Sequence, residues 1–124
     1  MLGHGRAFTR LLDYLQRVPA VETIGHGADN SGWWVKLAID IGHDLAWNVV
    51  QEFAYVLNEL SLTERLPTVF KPVSPSPYLN GGPRDFLAWV IEAETLDFRP
   101  GTCAEWLEGR LPRPVDNIAE WQTR

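Results

Sequence analysis

Between Trp33 and Ile41 the chain alternates with a period of two, Trp33, Val35, Leu37, Ile39 and Ile41 on one parity and Trp34, Lys36, Ala38 and Asp40 on the other. Successive strand side chains point to opposite faces, so this pattern predicts a strand with one buried face. Upstream, Phe8, Leu11, Leu12, Leu15 and Val18 recur at helical spacing, with Arg6, Arg10, Asp13 and Arg17 off the stripe. That spacing predicts an amphipathic helix ended by Pro19. The segment Val21 to Ile24 is expected to pair with the alternating strand as a hairpin. Between them, Gly25 to Gly32 (GHGADNSG) reads as a loop, because Gly and Asn accept positive φ while Asp and Ser bond their own backbone.

From Asp44 to Leu60 the apolar residues Leu45, Ala46, Val49, Val50, Phe53, Val56, Leu57 and Leu60 predict the longest helix, with Asp44 as its N-cap. Ser61 to Glu64 (SLTE) and Thr102 to Glu105 (TCAE) match capping boxes, the first opening a short turn before Pro67 and the second a helix to Gly109. Val69 to Val73 reads as an edge strand, since Pro72 has no N–H to give a ladder. Phe86 to Ala93 is apolar on both parities. Its Gly-Gly-Pro punctuation and its aromatic and β-branched residues favour a strand over a short buried helix. Pro114 suits the first turn of a last helix through Trp121. The order helix, strand, strand, long helix, strand, strand, helix, helix predicts one α+β domain over residues 1–124. It would hold a mostly antiparallel sheet of about four strands, a long helix across it and short C-terminal helices.

Composition narrows the function. With 124 residues, 45% of them hydrophobic, the chain can bury one core. A formal charge of −5 excludes a phosphate-driven nucleic-acid binder and would steer a basic partner instead. A single cysteine, Cys103, cannot form an internal disulfide. No run approaches the roughly 18 apolar residues of a membrane span, and the first residues lack a signal peptide's continuous apolar core, so the expected location is cytoplasmic. Three histidines without HxH or HxxxH spacing imply no transition-metal site, and GHGADNSG and LNGGP match neither phosphate-binding glycine motif. No cofactor is implied.

Two constellations could carry function. In Asp40 to Asp44 (DIGHD), His43 lies between two carboxylates where a strand hands over to a helix. His43 with Asp40 or Asp44, completed by Glu92, could form the acid-base pair of a small hydrolase or lyase. The competing reading makes this segment a helix cap. Cys103 at a helix start is read as a packing residue rather than a nucleophile, since nothing local supplies a base. The second constellation is aromatic: six tryptophans, more than so small a domain easily buries. Trp33, Trp47 and Trp89 fit inward positions by pattern, whereas Trp34 and Trp121 are candidates to face a partner. The proline-rich connection beside them, with Pro75, Pro77, Tyr78 and Asn80, holds too much apolar material for a flexible linker and reads as a stiffened binding loop or a structural crossover.

The strand WVKLAIDI, the helix AWNVVQEFAYVLNE, the loop PYLNGGP and the apolar FLAWVIE loosely resemble bacterial domains related to suppressor of fused, over about Trp33 to Leu107. The likeness implies a non-enzymatic protein-binding module of the kind associated with immunity to toxins, and transfers no functional residue. Three readings stand: a cytoplasmic binding module presenting a Trp/Pro-rich face to a protein, a small acid-base enzyme, and a homodimeric accessory protein with tryptophans packed across a twofold axis.

Overall fold

In the computed structural model, which describes residues 2–73 and 86–123, the alternating segment forms strand β2, Gly32–Asp40. It follows helix α1 (Leu2–Gln16) and strand β1 (Val21–Asp29). Helix α2 (Ala46–Ala54) runs through a π-helical segment, Tyr55–Leu60, into the short α3 (Ser61–Thr63). Strands β3 (Thr68–Pro72) and β4 (Phe86–Ala93) complete the sheet, and helices α4 (Pro100–Glu108) and α5 (Ile118–Gln122) end the chain. The sheet has the order β1-β2-β4-β3 with every neighbouring pair antiparallel, an α+β domain.

The glycine-rich segment behaves differently from its sequence reading. Strand β1 continues through Gly25, His26 and Gly27 to Asp29, and only Asn30 and Ser31 separate it from β2. The carboxylate of Asp29 accepts from the N–H and hydroxyl of Ser31 and from the N–H of Gly32, which builds the turn. A bulge between Thr23 and Gly25 resets the register, so that Gly25 pairs with Lys36 and Gly27 with Trp34.

One sheet face holds the core. Val35, Leu37 and Ile39 are fully buried on it, and Trp33 is 3% exposed. Phe8 of α1 meets Trp33 edge-on at 6.0 Å, Phe53 of α2 meets Phe70 at 5.5 Å, and Trp47 touches Trp89 at 6.4 Å, so both long helices lie on this side. Arg10 of α1 donates to Glu105 and Glu108 of α4, each at 2.9 Å, a surface link that contributes little beyond orientation. The opposite face carries Trp34, Lys36 and Ala38 of β2, Ala88, Val90 and Glu92 of β4, and Val69 and Lys71 of β3. No described helix packs on that side.

The π-helical segment has a visible consequence. Its carbonyl at Leu57 accepts from the hydroxyls of Ser61 and Thr68, the buried polar residues of this region. From the same segment Asn58 accepts from the Phe70 N–H at 2.7 Å and donates to the Phe70 carbonyl at 2.9 Å. Phe70 lies on an edge strand, so Asn58 occupies the backbone groups that another strand would use. The open side of β3 is thereby plugged.

The expected caps are not formed as the sequence suggests. Helix α2 begins at Ala46 rather than after Asp44, with Leu45 as its N-cap and no side-chain cap, and the Leu45 N–H donates to His43 Nδ1 at 3.0 Å. Ser61 sits inside a continuing helix and bonds backward to Leu57, and Thr102 lies inside α4, which starts at Pro100 with no side-chain cap. In both boxes the preceding residues already hold helical or pre-helical backbone, so the hydroxyl has no first turn left to cap.

Ala20, between α1 and β1, adopts φ of 70°, a left-handed conformation that costs a side-chain-bearing residue about 1–2 kcal/mol. Ala20→Gly relieves this at the expense of backbone entropy and is expected to stabilise the protein by about 0.5 kcal/mol. The urea midpoint is the measurement; a fall would show that the Ala20 methyl's packing against the core outweighs the strain.

Candidate functional site

The DIGHD segment forms a turn rather than a cleft. Asp40 Oδ1 accepts from the Gly42 N–H at 3.0 Å, the His43 N–H donates to the Asp40 carbonyl, and His43 Nδ1 is held by Leu45. Asp44 is exposed. Glu92 pairs across the sheet with Trp34, while Asp40 pairs with Phe86, six residues along β2. At strand rise this puts Glu92 about 20 Å from Asp40. The acid-base constellation of His43, Asp40, Asp44 and Glu92 is therefore not brought together: Glu92 lies six residues along the sheet, and Asp40 and His43 are held by the backbone of their own turn.

The tryptophans are redistributed. Trp33 and Trp89 are buried as expected, Trp33 with its indole N–H donating to the Phe98 carbonyl. Trp47, expected inward, is 52% exposed, because the buried stripe of α2 runs through Ala46, Val49 and Phe53 and leaves its neighbour outside. Trp121, expected to face a partner, is fully buried, and its N–H donates to the Val115 carbonyl at 2.7 Å. Trp106 donates toward the Val56 carbonyl and is covered by the Arg110 guanidinium, 3.3 Å from the ring centre. Pro75, Pro77, Tyr78 and Asn80 lie outside the described residues.

Among the sheet aromatics whose side chains are described, Trp34 is the exposed one, 38% accessible on the face without a described helix. Its ring does not stand free. A Cβ added at Gly27 would fall 2.8 Å from Trp34 Cζ2, and one at Gly25 would lie 3.6 Å from Cζ3. The indole thus lies across β1 on a shelf made by two residues without side chains. This explains glycines inside a strand, where they otherwise weaken it.

Beside the ring, a groove of about 450 Å³ runs over Gly32 and Ala93 and is bordered by Asp29, Glu92 and Glu94. Lys71 pairs with Glu92 at 3.0 Å, half-neutralising one border. The Asp29 carboxyl is held below its ordinary range by the Ser31 hydroxyl and then the Ser31 N–H, so it stays ionised. Cys103 is fully buried, and burial pushes its thiol up to about 12, which suits packing and not nucleophilic attack.

No family model, curated protein or solved structure matches this chain. Among the described residues no helix is long and apolar enough to cross a membrane.

The sequence singled out Trp34 for the right parity but missed its seat. The signal was present as GHG, yet a glycine pair becomes a shelf only when the register places a large ring opposite it, and the register depends on the bulge at Ile24.

Proposed function

We propose that this chain is a non-enzymatic protein-binding module whose contact surface is the Trp34 end of the outer sheet face. The observation that carries this reading is the indole held at 38% exposure over Gly25 and Gly27. A ring fixed in place loses little further freedom on contact, and covering its remaining surface is worth about 2 kcal/mol, the scale of an interface anchor. The carboxylates of Asp29, Glu92 and Glu94 beside it, with a formal charge of −5 overall, favour a basic partner. The finer form of the reading is a cytoplasmic immunity protein that binds a toxin. It rests on the resemblance between Trp33 and Leu107 to bacterial domains related to suppressor of fused.

Trp34→Ala tests the reading. The variant should keep its far-UV spectrum and lose about 2 kcal/mol of stability, less than a fully buried indole would cost, since a ring seated on one face only is removed. Affinity capture from native lysate should lose the specific partner recovered by the parent chain. Equal recovery by both proteins overturns the assignment of this face.

A further inference from the structure

The two edges of the sheet are not equivalent. On β3, Asn58 holds both backbone groups of Phe70, and Pro72 lacks an N–H, so strand addition there is blocked. On β1, beyond the bulge, Gly25 to Asp29 pair regularly with β2 on one side, and among the described residues no side chain bonds the backbone groups that alternate toward the other. The Trp34 ring lies across this same stretch, because Gly25 and Gly27 leave it room, and so brings its exposed surface toward the β1 edge. A strand arriving at that edge meets hydrogen-bonding groups in its plane and an indole on its outer side. Exposed Ile24 extends the apolar border at the bulge.

Resting on the protein-binding reading above, we infer that the partner engages this chain by adding a basic extended segment to the β1 edge over Gly25 to Asp29, with its outward side chains against Trp34. Main-chain bonds supply affinity in this mode and alternate side chains supply selectivity. Charge selects the occupant. Two copies of this chain each carry −5, which opposes self-pairing, whereas Lys or Arg at alternate positions would lie near Asp29 at the end of β1, in a negative field to which Glu92 and Glu94 add from the β4 side of the groove. An arginine or lysine over the indole face adds a cation–π contact.

The probe is a short peptide alternating lysine and valine, compared with its glutamate–valine counterpart and with a lysine–valine version N-methylated at alternate amides. Each is titrated into the full chain and followed by amide and indole NMR shifts. The lysine peptide should shift and protect amides of Gly25 to Asp29 together with the Trp34 indole N–H, and both control peptides should bind at least about tenfold more weakly. Equal binding by the N-methylated peptide, with shifts confined to Trp34, overturns strand addition while leaving the Trp34 face intact. Equal binding by the acidic peptide overturns the charge selection. Concentration-dependent dimerisation through β1 in sedimentation, or no binding at millimolar peptide, overturns the inference. The binding-module reading fails separately, if Trp34→Ala leaves partner capture unchanged.

Discussion

Gly32→Ala is expected to destabilise the protein by about 3 kcal/mol, a large share of a small domain's stability. A Cβ built on Gly32 falls 2.0 Å from the Ala93 carbonyl oxygen, 3.0 Å from its carbon and 3.1 Å from Glu94 Cα. All three are backbone atoms, so no rotamer change relieves the clash. Strands β2 and β4 must part where Trp33 pairs with Ala93 and Trp34 with Glu92. Overpacking alone costs about 1–3 kcal/mol, and the movement also loosens Trp33 from the Phe98 carbonyl. The guanidinium midpoint should fall with little change in slope. Gly101→Ala is the control: nothing lies within 4 Å of its added carbon, and inside α4 alanine should be neutral or stabilising. A loss below about 1 kcal/mol for Gly32→Ala would mean that the β2–β4 register slides easily. The Trp34 seat would then be less rigid than the binding proposal requires.

This position shows how far the sequence could be read. Periodicity located β2 to within a residue and β4 at Phe86–Ala93, because strand parity and length are local properties. It could not extend β1 through GHGAD, since glycine's turn preference is local while its role here is to make room for a ring on the next strand. The same limit explains Trp47. Helix α2 offers more apolar residues than its inner stripe can hold, and the sequence does not say which are left outside. For DIGHD the chemistry was legible but its use was not: a neutral imidazole and a carboxylate can each accept from a backbone N–H, and the turn claims both.

Asn58 is a further case. Nothing in its neighbourhood marks it out before the fold is known, because its partner Phe70 is on a strand whose edge becomes open only when β3 takes the last place in the sheet. Once that order exists, a side chain able both to donate and to accept is what one backbone N–H and C=O demand. The β1 edge gained a bulge and two glycines but, among the described residues, no such plug. The asymmetry is the reason binding is placed at that edge.

Trp121→Ala is expected to cost about 4 kcal/mol, the larger of the two losses. The ring is fully buried, the largest such side chain in the core, and its removal leaves both a cavity and an unpaired Val115 carbonyl. Asn48 of α2 donates to the Trp121 carbonyl at 3.0 Å, so α5 would loosen from α2 as well. Trp121→Phe separates the two contributions: it keeps most of the volume and forfeits the hydrogen bond, and should cost about 1–3 kcal/mol. Thermal unfolding of both variants beside Trp34→Ala makes the contrast decisive. An indole that closes the core should dominate stability and leave partner capture per folded molecule unchanged, while the indole on the glycine shelf should do the reverse. If Trp121→Ala unfolds within about 1 kcal/mol of the parent, the C-terminal turn is an appendage, and α2 holds the sheet without it.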